Sequence, residues 1–133
     1  MILRVTTLIL ALCLFLAGCS KVKVETRIYP EAGVYAAMPY ESVLILRSPP
    51  ATRFLRLGEI YIQPQGEPSQ KEILKKFRKA AGKIGADAVV VVADPAKLTG
   101  IPMAAPGWWN RELPPGSGST IVGVAIWFPA PAY

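Results

Sequence analysis

The sequence has no histidine, and both of its cysteines, Cys13 and Cys19, fall within its first 19 residues. Without imidazole it lacks the commonest general base near neutral pH and the commonest nitrogen ligand for a transition metal. Carboxylates are also few: nine Asp and Glu stand against fifteen Lys and Arg in 133 residues. No phosphate-cradling glycine loop and no internal repeat is present. The length allows one domain. These absences predict a protein that binds or anchors, with no catalytic residue, no metal site and no cofactor.

What is present begins at the N-terminus. Arg4 is followed by an uncharged apolar run from Val5 to Ala17 and then by Leu16-Ala17-Gly18-Cys19. The run is shorter than the roughly 20 apolar residues that span a bilayer, which weighs against a simple N-terminal membrane anchor and fits the h-region of an export signal. The four residues ending in Cys19 resemble a bacterial lipobox. That resemblance implies removal of residues 1–18, acylation of Cys19 with palmitate-type chains, and a stable membrane tether. Ser20 after the lipidated cysteine is compatible with transport to the outer membrane, facing the periplasm. With Cys13 removed and Cys19 acylated, the mature chain has no thiol for catalysis, a disulfide or soft-metal binding.

Beyond Cys19, residues 19–40 read as a tether, although Lys21 to Thr26 alternates like a short strand. A single domain is expected over 41–133. Glu41 to Leu46 and Phe54 to Gln63 read as strands, with Gly58 marking a bulge or a close backbone approach. Ser69 to Ile84 reads as an amphipathic helix. Ser69 and Glu72 form a capping box, Ile73, Leu74, Phe77, Ala80, Ala81 and Ile84 fall on one stripe, and Gly85 stands where a left-handed cap belongs. Ala86 to Val92 has the continuous apolar character of a central strand. Ser119 to Phe128 is a last strand in which Gly123 and Ala125 share a face and leave room for the helix. Strand, helix and strand in this order imply a right-handed crossover between parallel strands. The expected fold is α+β, a small mixed sheet of three to five strands with one amphipathic helix on one face and a long Pro/Gly-rich loop over 94–118.

The segments Leu57-Gly58-Glu59-Ile60, Lys79-Ala80-Ala81, Gly85-Ala86-Asp87-Ala88-Val89-Val90 and Gly123-Val124-Ala125 occur in an order that resembles the RcsF-like and YbjQ-like domains. It also resembles small bacterial envelope lipoproteins with a "GADAV" strand. The resemblance covers about residues 43–128 and implies a helix packed on a small sheet. RcsF-like sensors carry disulfides and YbjQ-like proteins have been labelled metal binders. This mature chain has no cysteine or histidine for either property.

Three groups of residues are candidates for function. Helix residues 71–83 carry six cations and one anion, a net charge equal to the whole surplus of the mature chain. Lys71, Lys75, Lys76 and Lys79 would meet an anionic lipid, glycan or acidic protein, or form only a solvated outer face. Trp108 and Trp109, in the long loop, have the character of a binding hot spot or of cover for an open sheet face. Glu59, Asp87 and Asp94 lie near strand ends, where two of them could form an acid–base pair, although no nucleophile or phosphate-cradling loop accompanies them. The plain expectation is that Glu59 faces water, Asp87 caps the turn after the helix and Asp94 starts a loop. Export argues against nucleic acid as a partner. The expected function is contact with another envelope component, as an assembly, scaffold or stress-sensing part, and the alternative is anion binding through the helix.

Overall fold

A computed structural model describes residues 22–101 and 118–129. Five strands, β1 (Val22–Ile28), β2 (Leu44–Leu46), β3 (Leu55–Pro64), β4 (Ala88–Ala93) and β5 (Ile121–Trp127), form one mixed sheet in the order β1-β3-β5-β4-β2. One helix, α1 (Gln70–Lys83), lies on one face. The expected α+β architecture is therefore present. Strand β5 is antiparallel to both β3 and β4, so the strands that flank the helix in sequence run parallel, as a crossover requires.

The helix starts and stops where its local chemistry dictates. The Ser69 hydroxyl accepts a hydrogen bond from the Glu72 N–H at 3.1 Å. At the other end the Ala86 N–H reaches the Ala81 carbonyl and the Gly85 N–H reaches the Gly82 carbonyl, the paired bonds of a Schellman motif. Gly85 makes the turn with φ +79°, a conformation that strains side-chain-bearing residues. Ile73, Phe77, Ala80 and Ala81 are buried against the sheet, while Leu74 and Ile84 are half-buried at the margins of the stripe.

Alternation along the strands builds two apolar layers. Val89 and Val91 of β4 pack under the helix with Leu57, Ile60 and Ile62 of β3 and Ile121 and Ala125 of β5. Ala88, Val90 and Val92 face the other way with Tyr61, Val122, Val124 and Ile126. The Val run of β4 is thus buried on both faces, as expected of a central strand. The connection from β2 to β3 has Leu46 and Phe54 at its ends, and both pack on the face opposite the helix. The β2–β3 and β3–β4 crossovers therefore use opposite sides of the sheet.

The helix seats on the sheet through Gly123. A β-carbon there would lie 2.5 Å from Val89 Cγ1 and 2.8 Å from Phe77 Cε1, far inside contact distance. The Phe77 ring occupies that space and is fully buried. Gly58 plays a similar part between β1 and β3. Its missing β-carbon would meet the Arg27 carbonyl oxygen at 2.5 Å, and the β3–β5 register shifts between Arg56 and Gly58.

Two expectations need correction. Residues 22–40 are not a tether. Val22–Ile28 is a full edge strand paired with Gly58–Pro64 of β3, and Val22 is buried. Its alternation of apolar residues with Lys23, Glu25 and Arg27 is that of a half-covered edge. The following stretch docks beside the helix end. Met38 N–H bonds the Gly82 carbonyl at 2.8 Å, and the Tyr35 ring stacks on Trp127 with centroids 4.4 Å apart. Gly82 and Gly85 admit it, since a β-carbon at either would lie within 2.7 Å of Met38 or Tyr35 atoms. The second correction concerns Glu41 to Leu46. It is not a buried strand but a 3-10 turn over Tyr40–Ser42 followed by a three-residue edge strand, with Leu44 55% exposed.

Truncating Phe77 to Ala is expected to cost about 3–5 kcal/mol in a urea unfolding titration. Gly123→Ala destabilises the wild type but costs less in the Phe77→Ala background, because the ring it collides with is gone.

Candidate functional site: the basic helix and its surroundings

Lys71, Lys75, Lys79 and Lys83 are spaced at four-residue intervals, so they form one ridge along the outer side of α1. All four are exposed. Local helix energetics do not favour this ridge. Like charges at i and i+4 repel by a few tenths of a kcal/mol per pair, and Lys71 sits in the first turn, where the helix dipole disfavours a cation. Only Lys83, in the last turn, is placed to the helix's advantage.

Part of that repulsion is offset by Tyr40. Its ring lies between two of the lysines, with Lys75 Nζ 5.5 Å and Lys79 Nζ 5.6 Å from the ring centroid. Both distances allow cation–π attraction, about 0.5–1 kcal/mol each at an exposed site. Tyr40 reaches this position because the 3-10 turn over Tyr40–Ser42 runs beside the helix, and the missing β-carbon of Gly82 lets that chain approach. The site is two ammonium groups beside one aromatic ring, with both lysines exposed to solvent. It can receive a phosphate, sulfate or carboxylate. Lys76 lies on a different side of the helix and is half-buried, so three of the four helix lysines singled out from sequence fall on the ridge and one does not. Tyr40 was not visible as part of the site, since it is 35 residues before Lys75 and carries no motif.

The carboxylates are occupied. Asp94 is buried and organises the turn after β4: Oδ1 accepts from Leu98 N–H at 2.9 Å, and Oδ2 accepts from Thr99 N–H at 2.9 Å and the Thr99 hydroxyl at 2.6 Å. The expectation that Asp94 starts a loop holds. Asp87 does not cap the turn after the helix. Its Oδ2 accepts from Phe128 N–H at 2.7 Å, which fastens the end of β5 to the start of β4. Glu59 does not face water. It is 1% exposed and accepts from the Tyr61 hydroxyl at 2.8 Å, while the Arg27 guanidinium lies 4.6 Å from the Tyr61 ring centroid. The alternation of β3 puts Glu59 on the face opposite the helix, beside β5, and a single sequence does not show that this face is covered. Among the described residues no group of His, Cys, Asp and Glu is arranged to hold a metal ion.

Cys19, Trp108 and Trp109 lie outside the described residues. Among the described residues no helix is long and apolar enough to cross a membrane.

No family model matches the chain, and no curated protein matches it. Among solved structures, the crystal structure of a Francisella virulence factor, FvfA, is similar over 78% of this chain and 96% of that one, at 13% identity and a TM-score of 0.46.

Two substitutions test these assignments. Asp94→Ala leaves two backbone N–H groups and the buried Thr99 hydroxyl without their acceptor, and is expected to cost about 2–3 kcal/mol of unfolding free energy. Tyr40→Leu is expected to cost about 1 kcal/mol at low salt. That loss disappears when Lys75 and Lys79 are both Gln, which identifies the ring–ammonium contact as its source.

Proposed function

We propose that this chain is a bacterial envelope lipoprotein, anchored by acylated Cys19 in the outer membrane, whose periplasm-facing α+β domain binds another envelope component. The observation that carries this reading is the complete lipobox-like Leu16-Ala17-Gly18-Cys19 after a charged start and a short apolar run. The fold supports it in one respect: the first strand begins three residues after Cys19, so a folded domain follows the anchor directly. A binding role rather than acid–base chemistry is supported by the engagement of Glu59, Asp87 and Asp94 in structural hydrogen bonds.

A second reading has its own observation. The paired ammonium groups of Lys75 and Lys79 over Tyr40 suit an anionic headgroup or glycan, and helix stability does not account for the lysine ridge. The proposed partner contact also includes Trp108 and Trp109, whose residue type suits a hot spot.

Two experiments test the proposal. Cys19→Ala moves the protein from the membrane to the soluble fraction and abolishes incorporation of labelled palmitate. Retention in the membrane without the label overturns the anchor. Photo-crosslinking probes at Trp109 and Lys79 in intact cells then identify the contact. A recurrent protein adduct supports the first reading, and adducts to lipid or glycan alone support the second.

A further inference from the structure

Strand β1 is an edge whose outer row of backbone groups is unpaired among the described residues, and the register tells which groups these are. Tyr29 N–H bonds the Leu57 carbonyl at 2.9 Å. In an antiparallel ladder, alternate residues turn both polar groups to the same side. Lys23, Glu25, Arg27 and Tyr29 therefore point their backbone groups toward β3. Val22, Val24, Thr26 and Ile28 point theirs away from the sheet.

The side chains on this edge are distinctive as well. Val24 and Ile28 lie on the helix side of the sheet, 37% and 56% exposed. Lys23, Glu25 and Arg27 lie on the other side. Arg27 Nε contacts Glu25 Oε1 at 3.1 Å, both side chains being more than half exposed, and Glu25 raises the pKa of Arg27 above its ordinary value. A long edge with exposed apolar residues and no proline within it is a template for strand addition.

We propose that this edge pairs with β1 of a second copy of the chain, antiparallel and centred on Thr26. Among the symmetric registers that the outward backbone groups allow, those centred on Lys23 or Arg27 set a like charge opposite itself, and the side chains choose among the other three, centred on Val24, Glu25 or Thr26. Centring on Glu25 places Glu25 opposite Glu25 and Lys23 opposite Arg27, two like-charge juxtapositions that destabilise. Centring on Val24 leaves Ile28 opposite Ser20, without an apolar partner. Centring on Thr26 puts Val24 opposite Ile28 of the second copy at both ends and Glu25 opposite Arg27 at both ends. In that register Thr26, Val24 and Ile28 form the hydrogen-bonded pairs. Glu25 and Arg27 fall in non-hydrogen-bonded pairs, where side chains come closest. Pro30, which has no N–H, falls opposite Val22 and ends the ladder. The product is one ten-stranded sheet with both helices on the same face and the apolar Val24 and Ile28 side chains in the trough between them.

Two differently tagged copies of the full chain, co-expressed and extracted from membranes, test this directly. Wild-type copies are expected to co-purify. Glu25→Arg in both copies, or Arg27→Glu in both, lowers recovery about tenfold by setting like charges opposite each other. One copy with Glu25→Arg and the other with Arg27→Glu restores it, because Arg then faces Glu at every position across the interface while each copy's own Glu25–Arg27 contact stays broken. Thr26→Cys supplies the register, since the Cα atoms of a hydrogen-bonded pair are about 5.5 Å apart, within disulfide reach. Thr26→Cys is expected to give a disulfide dimer on a non-reducing gel above the background of the unsubstituted chain, whereas Val24→Cys gives none. Failure of wild-type copies to co-purify, failure of the mixed pair to recover, or cross-linking through Val24→Cys instead of Thr26→Cys overturns the proposal.

Discussion

The packing of Phe77 into the space above Gly123 fixes the distance between helix and sheet, and the rest of the domain depends on it. Helix α1 can lie this close only because β5 presents no side chain at that point. Close packing brings the Ile73, Ala80 and Ala81 stripe into contact with the sheet and closes the core on that face. It also sets the level of Gly82 and Gly85 at the helix end. There the chain from Tyr35 to Met38 docks, and beyond it Tyr40 reaches the lysines. A change at Gly123 therefore propagates to a surface feature on the far side of the helix.

Much of this was legible in the sequence because the signals are local. The capping box, the apolar stripe, Gly85 and the alternation of β5 each lie within one element, and the structure places them as expected. The bulge at Gly58 was legible for the same reason. What was not legible depends on distant residues. Val22–Ile28 belongs to the sheet because β3 offers it an edge and Gly58 gives its backbone room, and Tyr35 docks because of Trp127 and of glycines some 50 residues later. The site divides the same way. Three of the four lysines share a ridge by helical spacing alone, whereas Tyr40 joins them only through the folded chain.

The polar groups separate into two kinds. Asp87, Asp94 and Glu59 are polar groups that accept short hydrogen bonds: Asp87 ties the end of β5 to the start of β4, Asp94 organises the turn after β4, and Glu59 meets Tyr61 two residues along β3. Such groups are expensive to bury and informative about fold. The lysine ridge is the reverse case. It is solvated and mutually repulsive, and an aromatic ring meets two of its four lysines. Interactions of this kind contribute little to stability and much to the field the surface presents to an approaching anion.

The shortness of the chain before β1 has a consequence for orientation. Two residues, Ser20 and Lys21, separate Cys19 from Val22, so three Cα–Cα steps give a reach of at most about 11 Å. A domain anchored as proposed cannot sample the depth of the periplasm, and anything it meets must come to the membrane surface. In a pair joined through β1 as proposed, the two Val22 residues sit at opposite ends of the shared strands, about 27 Å apart. Both anchors then reach one bilayer only if the sheet lies parallel to it, a raft rather than a post. Diffusion in the plane of the membrane would bring two such copies together far more often than free solution at the same copy number.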